Sequence, residues 1–278
     1  MMRVGIIGTG NMGRILAEAL IEGKAISPTS MTVTNRTLAK AHELKTSYPE
    51  INIEKSAAKT AENSDLIFVC VKPHDVYRVL HDIKVAATED KCVVSITSPI
   101  SVAEIESVAD CSAARIIPSI TNRALSGVSL ITFGRSCSLE WQRELEGLMG
   151  KISVPLEINE DITRVASDIV SCGPAFISYL IQRFINAAVE ETKIEEDTAT
   201  KLASEMLIGM GELLQKGYYT LPKLQEKVCV KGGITGEGIK VLERETGDMF
   251  NKLFQATHHK FKEDIENANA QFDLNIRR

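Results

Sequence analysis

No two of the six cysteines stand in CxxC spacing, which removes the usual zinc-knuckle and redox-pair frameworks. Cys70, Cys92, Cys111, Cys137, Cys172 and Cys229 are scattered, several of them in apolar runs, and read as small buried hydrophobes. No metal site is expected. A basic excess is missing too. The chain carries 32 Lys and Arg against 37 Asp and Glu, for a net charge of −5 and a pI near 5.7. That excludes a general nucleic-acid binder and a protein drawn electrostatically to anionic membranes. No apolar run is long enough to span a bilayer. No charged-then-apolar leader precedes the first strand pattern. Internal repeats and low-complexity stretches are lacking. The expectation is a reduced, cytoplasmic, soluble protein of 278 residues, 44% of them hydrophobic, enough for two domains with a sizeable core.

What is present starts at once. Arg3 to Ile7 is a short β-branched apolar run ending at Gly8-Thr9-Gly10-Asn11-Met12-Gly13. Ile15, Leu16, Ala19 and Leu20 then recur at helical spacing. Strand, GxGxxG, helix is the dinucleotide-binding fingerprint. Gly8 makes the turn, Gly10 lets a pyrophosphate approach the backbone, and Gly13 lets the helix pack on the strand. The second strand, Met31 to Thr34, ends in Thr34-Asn35-Arg36-Thr37. It lacks the carboxylate that would bind a ribose 2′-hydroxyl. A guanidinium with small polar neighbours suits a 2′-phosphate, so NADP (NADPH) is the expected cofactor.

Three further apolar runs follow: Leu66 to Val71, Val93 to Ile96 and Ala114 to Ile117. Helical patterns at Val76 to Ile83 and Val102 to Val108 separate them. The alternation implies a parallel sheet whose strand ends share one edge. Val71-Lys72-Pro73, Thr97-Ser98-Pro99 and Pro118-Ser119 fall on that edge. Lys72 and His74 are either catalytic there or present only backbone to a cofactor; the second reading is preferred. Gly127 to Phe133 and Lys151 to Ile158 read as two more strands, separated by an amphipathic stretch, Leu139 to Met149.

From Ile162 onward strand signals vanish. Helical patterns run over Val165 to Val189, Asp197 to Leu214, Leu221 to Val228 and Gly236 to the C-terminus. The expected architecture is α/β: a Rossmann domain with a doubly wound parallel sheet over residues 1–159, then an all-α domain over 160–278. Ser171-Cys172-Gly173-Pro174-Ala175 interrupts the first long helix, because a proline kinks or restarts a helix. Leu180, Phe184, Ala187 and Ala188 spread apolar surface around it, and such a helix needs partners on several sides. A second subunit is therefore expected. The tail from His258 onward is charged and reads as solvated helix, frayed at its end.

One loop in the second half stands out, Val228-Cys229-Val230-Lys231-Gly232-Gly233-Ile234-Thr235. Alone it is either an ordinary Gly-Gly turn with Thr235 as N-cap, or a cluster of bare N–H groups fit to hold a carboxylate.

Together these motifs resemble the pyrroline-5-carboxylate reductase family over essentially the whole chain. The resemblance rests on Ile7 to Gly13, Asn35-Arg36, Val71-Lys72-Pro73, Ser171 to Ala175 and Gly232 to Thr235. It is nearest to the divergent late-competence ComER-type branch. It implies reduction of 1-pyrroline-5-carboxylate to proline by NAD(P)H and an intertwined helical homodimer, often assembled further. It also implies cofactor contacts at Gly8, Thr9, Gly10, Asn11, Met12, Asn35, Arg36, Val71, Lys72, Pro73, Thr97 and Ser98. Gly232, Gly233, Ile234 and Thr235 would bind the substrate carboxylate, with the Thr235 hydroxyl orienting the ring nitrogen. Cys229, Val230, Lys231 and Ile234 replace the family's usual Thr, Ser, Pro and Thr, and Ala57 stands for a usual Asn. Ile117-Pro118-Ser119-Ile120-Thr121 replaces Met-Pro-Asn-Thr-Pro. A hydroxyl lost at Val230 is worth about 1.5–3 kcal/mol toward a charged ligand. The alternative is thus an NADP-binding regulatory paralogue with weak or no reductase activity. A β-hydroxyacid dehydrogenase shares the first domain, but needs a lysine that the stretch from Ile162 to Thr192 does not offer.

Overall fold

A computed structural model of the chain describes residues 2–276. Contacts divide it into two compact units. The first runs to Pro174 and takes in the chain again from Ala256; the second is Ala175–Gln255.

The first unit is built on an eight-stranded sheet of order β3-β2-β1-β4-β5-β6-β7-β8. The strands are β1 (Val4–Ile7), β2 (Met31–Thr34), β3 (Asn52–Ile53), β4 (Leu66–Val69), β5 (Cys92–Ser95), β6 (Ser112–Ile117), β7 (Val128–Phe133) and β8 (Val154–Glu157). Its helices are α1 (Asn11–Glu22), α2 (Leu38–Ser47), α3 (Ala57–Glu62), α4 (Pro73–Ile83), α5 (Val102–Glu106), α6 (Leu139–Met149) and α7 (Thr163–Ser167). Strands β1, β2, β4 and β5 are buried along their whole length, which is why they read as unbroken apolar runs rather than alternating ones. The strand order reverses between β1 and β4, where open sheets of this kind bind ligands.

Two strands depart from the sequence reading, one by its shortness and one by its direction. The β3 strand is only two residues long and its pattern is too short to see in sequence. β7 runs antiparallel to β6, pairing Ala114 with Phe133 and Ile117 with Leu130. Only a 3₁₀ turn, Ile120–Ala124, lies between them, far less chain than a parallel crossover requires.

The sequence break at Gly173-Pro174 is not a break in the structure. α7 passes through a π turn, Asp168–Cys172, into α8 (Gly173–Glu191). Pro174 has no N–H for the Val170 carbonyl, which lies four residues back. That carbonyl instead accepts from Ser119 Oγ at 2.8 Å, and Ser171 Oγ donates to the Pro118 carbonyl at 2.9 Å. A widened turn thus accommodates the proline. The helix becomes continuous over Glu160–Glu191, and by length and composition alone it is long and apolar enough to cross a membrane, its most apolar 18-residue window having a mean hydropathy of 1.2. Reading the proline as an interruption had hidden this length.

The C-terminal helix α12 (Met249–Ile276) also departs from expectation. Ala268 and Phe272 are buried in the cluster that holds Val76, Val79 and Leu80 of α4. Phe272 meets Tyr77 edge-on at 5.0 Å. His258 lies beside Asp168, 3.8 Å from its carboxylate, rather than in open solvent. Ala268 and Phe272 thus anchor the tail to the core of the first unit, while most of it is exposed as read, His258 at 50% and His259 at 80%; its last two residues lie outside the described ones. Cys92, Cys111 and Cys137 are buried, and burial pushes the Cys92 and Cys111 thiols up, as expected of inert core cysteines.

The second unit contains most of α8 together with α9 (Glu196–Gln215), α10 (Leu221–Val228) and α11 (Ile234–Thr246). Its buried cluster is small: Ile185, Ala199 and Ala203, with Ile181, Val189 and Ile194 against it. Phe184, Leu202, Ile208, Leu221 and Leu242 are all at least 60% exposed. A core this small leaves apolar helix faces that need a partner.

Candidate functional site

The site grows from the turn after β1. Gly8 sits at φ +104°, and a Cβ there would lie 2.6 Å from the Cys70 carbonyl oxygen. At Gly13 a Cβ would lie 1.9 Å from the Gly8 carbonyl oxygen. Both positions are closed to any side chain. Gly10 is different: its Cβ would meet nothing within 4 Å. It leaves open the space in front of α1. Gly10 is also the N-cap of α1, with no side-chain cap and no acidic residue in the first turn. The first-turn amides, Asn11 and Met12 among them, keep their donor capacity for an anion. Thr9 Oγ1 is buried without a partner among the described residues. An open backbone cradle, uncapped amides and a buried hydroxyl together fit a pyrophosphate.

A cleft of about 380 Å³ opens at this turn. Gly8, Gly10, Asn35, Arg36, Val71 and Lys72, six of the residues singled out in sequence, line it together. Asn35 is engaged locally: its Oδ1 accepts from the Thr9 N–H at 3.0 Å and its Nδ2 donates to the Thr37 carbonyl. It therefore ties the glycine turn to the end of β2. Lys72 is the N-cap and Pro73 the first residue of α4. Thr97 and Ser98 follow β5 and are not among the cleft-lining residues. Thr97 Oγ1 pairs with Ser95 Oγ at 2.9 Å, and the Ser98 carbonyl accepts from Arg115. Arg115 is 4% exposed; its Nη1 also bonds the Ile100 carbonyl and its Nη2 the Thr163 hydroxyl at 2.7 Å. Burial draws its pKa down, while Glu160 opposes that shift.

The sequence reading missed Lys40, Lys55, Asp75, Arg78 and Asp82, which also line the cleft. On α4, positions 75, 78 and 82 share one helix face, opposite the buried Val76, Leu80 and Ile83. Projecting α4 as a helix would have revealed them. With Arg36 and Lys72, the lining carries five cations against two carboxylates, so its field favours a highly anionic ligand.

The second candidate element lies in the helical unit. Gly232 adopts φ +77°, a left-handed conformation that favours glycine. Gly233, not Thr235, is the N-cap of α11, and it has no side-chain cap. Thr235 stands in the first turn, and it is exposed. Its hydroxyl is thus not spent on capping. Ile234 is 93% and Val230 63% exposed. Glu237 is paired with Lys240 at 2.7 Å, which offsets its charge in the first turn.

Sheet order, glycine turn and cleft define a Rossmann-type, dinucleotide-binding oxidoreductase fold joined to a helical unit. Known proteins narrow this further. Residues 3–99 match the family model described as NADP oxidoreductase, coenzyme F420-dependent, and residues 160–264 match that for pyrroline-5-carboxylate reductase dimerisation. The chain is 55% identical over 273 residues to ComE operon protein 4 of Bacillus subtilis (strain 168), covering 98% of this chain and 100% of that protein. It is 27% identical over 272 residues to pyrroline-5-carboxylate reductase 3 of the same organism, with the same coverage. Its fold matches that of the Plasmodium falciparum pyrroline carboxylate reductase solved with NADP bound, with a TM-score of 0.80, 20% identity and 98% of each chain covered. The chain belongs to the pyrroline-5-carboxylate reductase family, in its ComER-like branch.

Proposed function

We propose that this chain is an NADPH-dependent reductase of 1-pyrroline-5-carboxylate, or of a close cyclic imino acid, acting by hydride transfer to C=N. The observation that carries the reading is the cation-lined cleft at an uncapped glycine turn. When bound, the dinucleotide supplies the hydride, and the chain supplies position and charge. In this reading Gly8, Thr9, Gly10, Asn11 and Met12 hold the pyrophosphate. Arg36 takes the 2′-phosphate, with Asn35 ordering the turn beneath it. Val71, Lys72, Pro73, Thr97 and Ser98 border the rest of the cofactor. The N–H groups of Gly233, Ile234 and Thr235 hold the substrate carboxylate after the turn at Gly232. The Thr235 hydroxyl orients the ring nitrogen; an alcohol is too weak an acid to do more. Residues 1–159 serve the cofactor, and residues 160–278 serve substrate and a homodimer or higher homo-oligomer.

Thr235→Ala is expected to slow turnover about tenfold, the equivalent of one lost hydrogen bond to a charged group. Steady-state rates with NADPH and the imino acid measure this; an unchanged rate would remove Thr235 from the mechanism. The second reading, an NADP-binding regulatory protein of the competence type, is favoured by one specific feature. Exposed isopropyl and sec-butyl groups at Val230 and Ile234 flank the carboxylate amides, where the family usually has hydroxyls.

A further inference from the structure

The end of β2 lacks the carboxylate that NAD-dependent folds use, yet the cleft does not lack one. Asp75, in the first turn of α4, supplies it from the other side. Its side chain is 18% exposed, and two guanidiniums and an imidazole converge on it. Arg36 Nη1 lies 3.6 Å away, Arg78 Nη2 3.3 Å and His74 Nε2 3.5 Å. Arg36 and Arg78 are themselves 77% and 61% exposed, and both line the cleft. Two exposed guanidiniums thus share one part-buried carboxylate at the place where β2 delivers Arg36.

The geometry points to Asp75 as the residue that sets the cofactor preference of this site, with Arg78 as a second phosphate-binding arm. This rests on the dinucleotide reading above and deepens it. A 2′-phosphate competes with Asp75 for the two guanidiniums. Planar guanidiniums bind phosphate through paired N–H donors, so the phosphate draws both arms away from the carboxylate. Asp75 opposes that binding, because its own charge repels the phosphate. A 2′-hydroxyl reverses the balance. It donates to the Asp75 carboxylate, as it does to the acidic residue at the end of β2 in other folds, and it leaves both guanidiniums paired. The site therefore contains an attractive and a repulsive element for NADPH and an acceptor for NADH, and discrimination is usually built from such pairs. The preference for NADPH is held below what two arginines alone would give.

The test is cofactor binding by the full-length protein, measured for NADPH and NADH by fluorescence or calorimetry. Asp75→Asn is expected to tighten NADPH about threefold to tenfold and to weaken NADH about threefold to tenfold, because a charged acceptor for the 2′-hydroxyl becomes a neutral one. Opposite movements are the signature; a residue that merely shapes α4 would shift both constants together. Both constants rising together, or neither moving, overturns the proposal. Arg78→Leu, on an exposed helix face, is expected to weaken NADPH about tenfold and leave NADH within about twofold. An unchanged NADPH constant in that variant also overturns the proposal. If Arg36→Leu weakens NADPH while Asp75→Asn moves neither constant, the NADPH reading stands and only the role of Asp75 falls. Wild-type protein that binds neither cofactor overturns both.

Discussion

Gly13→Ala is expected to abolish tight NADPH binding and to lower stability, whereas Gly10→Ala is expected to do only the first. The two glycines sit three residues apart in one turn, but a methyl group meets different surroundings at each. At Gly13 it would lie 1.9 Å from the Gly8 carbonyl oxygen and 2.9 Å from Cys70 Cβ. Backbone cannot yield cheaply at that distance, so α1 must move off β1, at a cost of about 1–3 kcal/mol or more. That movement also displaces the first-turn amides. At Gly10 the methyl meets nothing of the protein within 4 Å, and φ is −71°, which alanine adopts freely. The stability cost there is below about 1 kcal/mol. In the proposed binding mode the methyl instead takes space that the pyrophosphate would fill. Losing two charge-assisted bonds weakens binding by on the order of a hundredfold or more. Urea unfolding paired with NADPH titration separates the variants. Undiminished NADPH binding by Gly10→Ala would contradict the assignment of this cradle.

Asp168→Ala is expected to destabilise the protein by about 3–5 kcal/mol, as much as truncating a buried core side chain. Asp168 is 1% exposed and lies in the π turn. Arg164 Nη2 reaches its Oδ1 at 2.9 Å, and Thr257 Oγ1 donates to its Oδ2 at 2.7 Å. Arg164 is only 16% exposed and lies over the Phe261 ring, 5.3 Å from its centroid. Removing the carboxylate leaves a guanidinium with little water and no counter-charge. The same contacts attach α12 to the π turn, so backbone amides near Thr257 should exchange faster in the variant. Asp168→Asn keeps an acceptor for Thr257 and is expected to cost less. A loss below about 1 kcal/mol in Asp168→Ala would show that the buried pair does not anchor α12.

These two cases also mark what could be read from the amino acids. The glycine turn was legible because backbone geometry and residue type are locked together at Gly8 and Gly13. The parallel core was legible because doubly buried strands must be continuously apolar. The direction of β7 was not, since it follows from the length of the connection after Ile117 rather than from the strand's own pattern. The π turn was misread as a break because Pro174 usually ends a helix; only Ser119, 51 residues away from Val170, reveals how the freed carbonyl is satisfied. Ala268 and Phe272, four apart in a charged tail, were too sparse a stripe to predict burial. Asp75 and Arg78 were hidden for another reason. Their role depends on which face of α4 lines the cleft and on proximity to Arg36 from a different strand.

The substrate half was legible as a loop but not as an activity. Gly232 turns at positive φ into the uncapped start of α11, on which the proposed carboxylate site relies, while Val230 and Ile234 alter its rim. Which of these dominates decides between a reductase and a regulatory protein. The direct measurement is loss of nicotinamide absorbance when the purified protein is mixed with NADPH and a panel of cyclic imino acids that includes 1-pyrroline-5-carboxylate. The account predicts turnover on at least one member, with the cyclic amino acid as product. Tight NADPH binding with no turnover on any of them would contradict it.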